Sequence, residues 1–193
     1  MKTADPSRNK KYLYWKPTYE WLSKFINENN LKTFLELGVA GGQNIKHQSE
    51  NSKLEKIIGV DEYQPTSWDM HHHLNVDDIY GSFDKLYFEV NSLLLSLRTP
   101  SLLMRKSSIE ASNFFNDEEF DCIFIDASHD FKNCFRDICL WYPKVKKNGF
   151  LVGHDWDNPN HPGVNKAVKK YFKNNIRELK TVSEPYYIWY IKV

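Results

Sequence analysis

Cysteine, glycine and net charge are all scarce in this sequence, and each scarcity removes a class of explanation. Only three cysteines, Cys122, Cys134 and Cys139, occur in 193 residues. They are too few and too irregular for a disulfide framework, so a reduced, cytoplasmic setting is expected. Lysine plus arginine (26) nearly cancels aspartate plus glutamate (25). No broad basic field therefore invites a nucleic-acid backbone, and no acidic excess points to disorder. No apolar run approaches the roughly 20 residues that cross a bilayer. The polar Met1–Lys11 stretch does not read as a signal peptide, and no membrane partner is expected. The glycines do not fall into Gly-x-Gly-x-x-Gly, which argues against a nicotinamide dinucleotide, and no Lys-Ser/Thr pair closes a phosphate loop.

What is present is enough apolar material, 41% of residues, for one packed core, so a single domain over 1–193 is expected. Within it, 1–30 reads as an N-terminal segment and helix. Strand and helix patterns then alternate, which favours a mostly parallel sheet covered on both faces. Helical spacing is read over Tyr19–Asn29, Phe83–Leu97, Phe131–Tyr142 and Gly163–Phe172. Short apolar runs at Thr33–Leu37, Lys56–Val60, Ser101–Met104, Phe120–Ile125 and Phe150–Gly153 read as buried strands, the last entered through a turn at Lys147-Asn148-Gly149. Glu178–Val182 and Tyr187–Val193, around Glu184-Pro185, read as a closing antiparallel hairpin. The irregular stretch 62–78, with Trp68 and His71–His73, is long for a connection and reads as a lid insertion. The histidine triple is most simply solvated, because consecutive side chains diverge and do not share a tetrahedral site. Lys144–Lys147 is most simply a solvated face.

Two constellations carry chemistry. Leu35–Asn44 contains Gly38, Gly41 and Gly42 between a strand and a helix, where bare amides can approach a ligand closely. Asp61 ends the next strand, about 20 residues on, where a carboxylate can take both hydroxyls of a ribose. The second constellation is Asp126, His129 and Asp155. Both aspartates end strands, so both carboxylates reach one crevice, where they repel unless a cation or proton joins them. A hard ion such as Mg²⁺ suits such oxygen ligands, and Asp126 and Asp155 are its expected ligands. His129, three residues after Asp126, is positioned to act as general base. His154 is a rival for either role, though neighbouring strand residues point to opposite faces. The plain alternative is that Asp126 and Asp155 only cap the elements that follow them.

Glu36-Leu37-Gly38-Val39-Ala40-Gly41-Gly42 resembles the first motif of class I S-adenosylmethionine-dependent methyltransferases, and Gly59-Val60-Asp61 resembles their second. Ser107–Ser108 is similar to the loop flanking the adenine. Phe124–His129 resembles the fourth motif, and Lys147–Asp155 the segment after it. The pattern Ile-Asp-x-x-His followed by Gly-His-Asp is similar to the small-molecule and sugar O-methyltransferase branch. One departure is Asn148, where a glycine pair is usual; a left-handed turn tolerates asparagine.

The resemblance implies a Rossmann-like α/β sandwich with a seven-stranded, mostly parallel sheet and a C-terminal antiparallel hairpin. It implies methyl transfer to a hydroxyl of a small molecule or saccharide, with a divalent metal as the candidate assistant. Glu36, Gly38, Val39, Gly41 and Gly42 would line the methionine portion of S-adenosylmethionine. Asp61 would hold its ribose, Tyr63 would pack beside the adenine, Ser108 would sit near the adenine amine, and Asp126 would border the cofactor. Tyr12–Trp15 is a candidate cover for the site. A non-catalytic S-adenosylmethionine-binding module and a nicotinamide-dependent oxidoreductase stay open as alternatives, as does a homo-oligomer. A nucleic-acid methyltransferase is disfavoured by the near-neutral charge and by the lack of an Asn-Pro-Pro-aromatic motif.

Overall fold

The computed structural model describes residues 10–64, 76 and 80–193, with side chains from Trp15 onward. His71–His73, Trp68 and most of the expected lid insertion lie outside the described residues. The element order is α1 (Lys10–Glu28), β1 (Thr33–Leu37), α2 (Gln43–Asn51), β2 (Lys56–Asp61), α3 (Phe83–Leu95), β3 (Ser101–Arg105), α4 (Ser108–Ser112) and β4 (Phe120–Ile125). It continues with α5 (Phe131–Trp141), a single 3₁₀ turn, β5 (Val145–Gly153), α6 (Pro162–Tyr171), β6 (Lys180–Val182) and β7 (Ile188–Lys192). The seven strands lie in the order β3-β2-β1-β4-β5-β7-β6. The first five run parallel, and β7 pairs antiparallel with both β5 and β6.

Period-two alternation assigns each strand's side chains to two cores. Phe34 of β1, Cys122 and Phe124 of β4, and Phe150 and Val152 of β5 face Leu22, Phe25 and Ile26 of α1. Leu35, Leu37, Ile123, Ile125 and Leu151 face the other way, onto Ile138 and Trp141 of α5 and Val164, Ala167 and Val168 of α6. Helices thus cover both faces, as a central parallel sheet requires.

The structure differs from the sequence expectation at four places. Lys144 is buried, its ammonium donating to Phe115 O at 2.9 Å, and is not part of a solvated face. Helix α1 runs back to Lys10 through Pro17. The proline costs one backbone hydrogen bond, whereas packing of the Leu22–Ile26 face on the sheet supports the whole helix. Strand β5 begins at Val145, because the Lys147–Gly149 turn is absorbed as an irregularity within the strand. The pairing shifts from Phe120–Val145 to Cys122–Phe150 across it, and Asn148 takes φ 67° there. Ser108–Ser112 forms a short helix closed by a reciprocal Ser107–Glu110 capping box.

At the other side of β5 the sheet has no room for a side chain. Gly153 lies opposite Trp189, and a Cβ on it would fall 2.2 Å from the buried indole. Gly153→Val is expected to destabilise the protein by about 1–3 kcal/mol through overpacking, read as a lower midpoint in chemical denaturation. An unchanged midpoint would mean that β7 is not held against β5 as described.

Candidate functional site

The parallel order reverses direction between β1 and β4, and a crevice opens at the carboxyl ends of strands at such a switch point. The two strand ends are joined backbone to backbone: Asp126 N donates to Leu37 O at 2.9 Å. Gly38 follows with φ 85°, and a Cβ there would lie 2.0 Å from the Asp126 carbonyl oxygen. Glycine is required at this position twice over, by conformation and by space. The wall of the glycine turn is therefore also the wall of the Asp126 segment.

The turn is tied to β2 through Asp61. Its Oδ2 accepts the amides of Val39 (3.0 Å) and Ala40 (2.9 Å), and its Oδ1 accepts the amide of Tyr63 (2.9 Å). The Tyr63 hydroxyl donates back to Ala40 O at 2.9 Å, and its ring is fully buried. Burial raises the Asp61 pKa, opposed by these three amides. Three of the four lone-pair positions of the carboxylate are thus taken, leaving one for a ligand. Gly42 caps α2 with φ 76°, and Gly41 is held in the turn by the Gly42 amide donating to Val39 O.

Glu36, on β1, is buried beneath the turn. Its Oε1 accepts from Asn44 Nδ2 at 2.8 Å, and Asn44 in turn accepts from Gln48 Nε2 at 2.7 Å. Its Oε2 is buried without a partner, and burial drives its pKa well above the ordinary carboxylate range. A buried carboxyl oxygen with nothing to accept from is costly, and it fits a cationic or donor group arriving in the turn. Asn44 and Gln48, one helical turn apart on the buried side of α2, were not singled out from the sequence. Their signal was polar residues where the helix faces the core.

The Asp126, His129 and Asp155 constellation does assemble, and His154 joins it. His129 Nε2 lies 2.8 Å from Asp155 Oδ2 and 3.9 Å from Asp126 Oδ1. His154 Nδ1 lies 3.2 Å from Asp155 Oδ2 and 3.5 Å from Asp126 Oδ1. Four ligating atoms therefore form a ring of alternating oxygen and nitrogen. The expectation that His154 and Asp155 face opposite ways fails for a backbone reason. Strand β5 ends at Gly153, and Asp155 has φ 60°, which turns its carboxylate back toward His154. Trp15 makes an edge contact with the His154 ring at 4.7 Å between centroids, while the side chains of the rest of the expected cover, residues 12–14, lie outside the described residues.

Burial opposes charge on every member, yet the pairs win. It lowers both imidazoles, but Asp126 and Asp155 push His129 up to about 11 and His154 up to about 10. Burial likewise raises the carboxyls, but His154 and His129 hold Asp126 below and Asp155 well below the ordinary range. At neutral pH both imidazoles carry protons. Paired in this way His129 donates to Asp155, so the general-base role expected for it requires that proton to leave first. Asp126 is the more open carboxylate, its side chain 30% exposed against 3% for Asp155.

Ser108, expected near the adenine amine, is engaged within the protein. Its hydroxyl hydrogen goes to Asp137 Oδ1 at 2.6 Å, and it accepts from Trp141 Nε1 at 3.0 Å. The hydroxyl thus braces α4 against α5, and its remaining lone pair is all that it can offer a ligand.

A family model described as a methyltransferase domain matches residues 35–156. An uncharacterized protein of Acanthamoeba polyphaga mimivirus is 24% identical over 152 residues, 70% of this chain and 59% of that protein. The chain thus spans well under two thirds of that curated relative. Among solved structures, a TDP-rhamnose 3'-O-methyltransferase of calicheamicin biosynthesis superposes with a TM-score of 0.64 at 14% identity, covering 95% of this chain and 80% of that one. A methyltransferase from Podospora anserina with bound S-adenosylhomocysteine has a TM-score of 0.60 at 14% identity, covering 96% of this chain and 82% of that one. At such identities the likeness is one of fold.

The charge balance of the cluster has a pH signature. Both imidazoles bind protons in the folded chain far above their ordinary 6.5. Their stabilisation is complete below about pH 6.5 and is lost as pH rises toward 10–11. In metal-free protein the ring signals of His129 and His154 are expected not to titrate by NMR between pH 6 and 8. Asp155→Asn is expected to bring the His129 midpoint down toward neutrality and to flatten the fall in melting temperature above pH 6.5. Titration of both parent rings near pH 6.5 would contradict the geometry.

Proposed function

Because the chain belongs to the methyltransferase-domain family, we propose that it transfers the methyl group of S-adenosylmethionine to a hydroxyl of a small molecule or saccharide. The observation that carries this reading is the shared wall of Gly38 and Asp126. A cofactor lying in the glycine turn has its reactive end beside the one cluster of charged groups at the switch point. In this reading, the turn from Gly38 to Gly42, with Val39 in it, lines the methionine portion by close backbone approach, its amides being mostly engaged within the turn and by Asp61. The unpartnered Glu36 Oε2 accepts from the methionine ammonium, which would hold the carboxylate ionised. Asp61 has one acceptor position left for a ribose hydroxyl, while Tyr63 fixes the turn. The Ser107–Ser112 segment borders the adenine end through its backbone and the remaining Ser108 lone pair.

The reaction forms one C–O bond as the sulfonium S–C bond breaks in line, giving a methyl ether, S-adenosylhomocysteine and a proton. Asp126 accepts the hydroxyl hydrogen of the acceptor and so aims an oxygen lone pair at the methyl group. The attacked oxygen becomes an oxonium, far more acidic than a carboxylic acid, so even a carboxylate of depressed pKa takes the proton late in the step. His129 and His154 keep Asp126 ionised for that task, and Asp155 keeps both imidazoles in place.

The residues also fit a divalent cation. Neighbouring ligands about 2.1 Å from one ion stand about 3.0 Å apart at right angles, and the edges of the ring run from 2.8 to 3.9 Å. Asp126, Asp155 and His154 would hold such an ion, Mg²⁺ or another. Bound there, it would lower the pKa of the acceptor hydroxyl. The three cysteines are free thiols, which supports the cytoplasmic reading. Among the described residues no helix is long and apolar enough to cross a membrane.

Asp126→Asn is expected to leave affinity for S-adenosylhomocysteine within about threefold and to lower methyl transfer at least about 100-fold. The assay scores methyl ether by mass spectrometry over a panel of sugars and phenols. Full turnover in Asp126→Asn would remove this residue from the mechanism.

A further inference from the structure

The described residues contain a second group of close metal-ligating side chains, made of His129, Asp155 and His161, whose ligand atoms all lie within 4.8 Å of one another. His161 belongs to no motif quoted for the cofactor, and the fold goes to some length to bring it there. Asp155 and Asp157 both adopt left-handed backbone, φ 60° and 56°, a conformation that residues with a Cβ rarely take. The loop between them and α6 is then braced at every step. Asn158 Nδ2 donates to Asp155 Oδ1 at 2.6 Å, Asn160 N to Asn158 Oδ1 at 3.0 Å, and His161 N to Asn158 O at 3.0 Å. Asp157 N donates to Asn165 Oδ1 at 3.0 Å, which locks the loop onto α6.

The start of α6 is itself seated against the segment that carries His129. A Cβ on Gly163 would fall 2.3 Å from the His129 carbonyl oxygen and 2.7 Å from the Phe131 nitrogen. That close approach stacks the His161 ring on His129, with centroids 4.0 Å apart and 26° between planes. His161 begins α6 but makes no side-chain cap bond to it, and Pro162 follows at the first helical position. Asp155 is buried, whereas His129 and His161 are only partly covered, so the group opens to solvent on its histidine side and offers a way in.

We propose that His129, Asp155 and His161 form a two-imidazole, one-carboxylate site for a late first-row divalent ion such as Co²⁺, Ni²⁺ or Zn²⁺, in preference to Mg²⁺. Imidazole nitrogen suits those ions, while Mg²⁺ demands oxygen ligands in near-ideal octahedral geometry. Asn158, donating to the other oxygen of Asp155, is the outer partner that aims Oδ2 at the ion. Asp126 stays outside this set and remains available to the acceptor hydroxyl. The inference rests on the methyltransferase reading for its place in catalysis, but not for binding itself.

The test uses full-length protein stripped with chelator and no cofactor. Co²⁺, Zn²⁺ and Mg²⁺ are titrated by calorimetry, and Co²⁺ also by its visible absorption. The expected result is Co²⁺ bands that indicate nitrogen ligation and a preference for Co²⁺ and Zn²⁺ over Mg²⁺ of at least about 100-fold. His161→Ala is expected to weaken Co²⁺ and Zn²⁺ at least about 10-fold, change the Co²⁺ spectrum and leave Mg²⁺ unaffected. Its affinity for S-adenosylhomocysteine should match the parent, which separates a lost ligand from a lost fold. A Co²⁺ spectrum and affinity unchanged in His161→Ala would overturn the proposal, and so would Mg²⁺ binding as tightly as Co²⁺. If Co²⁺ binds as expected while the parent ignores S-adenosylhomocysteine, the metal site stands and the methyltransferase reading falls. If S-adenosylhomocysteine binds but His161→Ala changes nothing in Co²⁺ binding, the reverse holds.

Discussion

The contact on which this molecule depends most is the one between Gly38 and the backbone of Asp126. Two parallel strands, β1 and β4, meet there at the point where the sheet reverses its order, and the Asp126 amide donates to Leu37 O at 2.9 Å. With no side chain on Gly38, the loop that follows β1 can lie directly against the loop that follows β4. One loop brings the glycine turn, its amides mostly tied to Asp61 and to the turn's own backbone, and a helix N-terminus. The other brings a carboxylate. In the proposed reading these are the two halves of a transfer site, a cradle for the donor and a charged group for the acceptor, set side by side.

Electrostatics then decides what the charged half can do. Two aspartates at neighbouring strand ends would repel in a buried crevice. Here two imidazoles alternate with them, so the ring of four groups is close to neutral when both imidazoles are protonated. The arrangement serves equally as a resting state and as a set of metal ligands, because the proton on each imidazole and a divalent ion compete for the same nitrogen. In the proposed reading the proton acceptor is Asp126, the most open member of the ring.

Much of this was legible in the residues. The five parallel strands came from short apolar runs bounded by turn residues, and β6 and β7 from the hairpin around Glu184-Pro185. The glycine turn, Asp61 and the Asp126–His129–Asp155 set came from their positions at strand ends, because the ends of parallel strands are where ligands bind. What was not legible has physical causes. His154 was assigned to the opposite face because strand alternation was extended past Gly153, where a left-handed residue at Asp155 breaks it. Ser108 keeps one lone pair for a ligand, and its partners Asp137 and Trp141, about 30 residues away in the chain, leave no trace in the local pattern. His161 carried no signal of its own. Its meeting with His129 depends on a close approach at Gly163 that no periodicity reveals.

The most direct test of the central claim is calorimetric titration of the parent protein with S-adenosylhomocysteine, with NAD as the control nucleotide. The account predicts micromolar affinity for the sulfur nucleoside and no heat from NAD. Silence toward the sulfur nucleoside, or preference for NAD, would mean that the turn beneath Gly38 is not a cradle for a methyl donor.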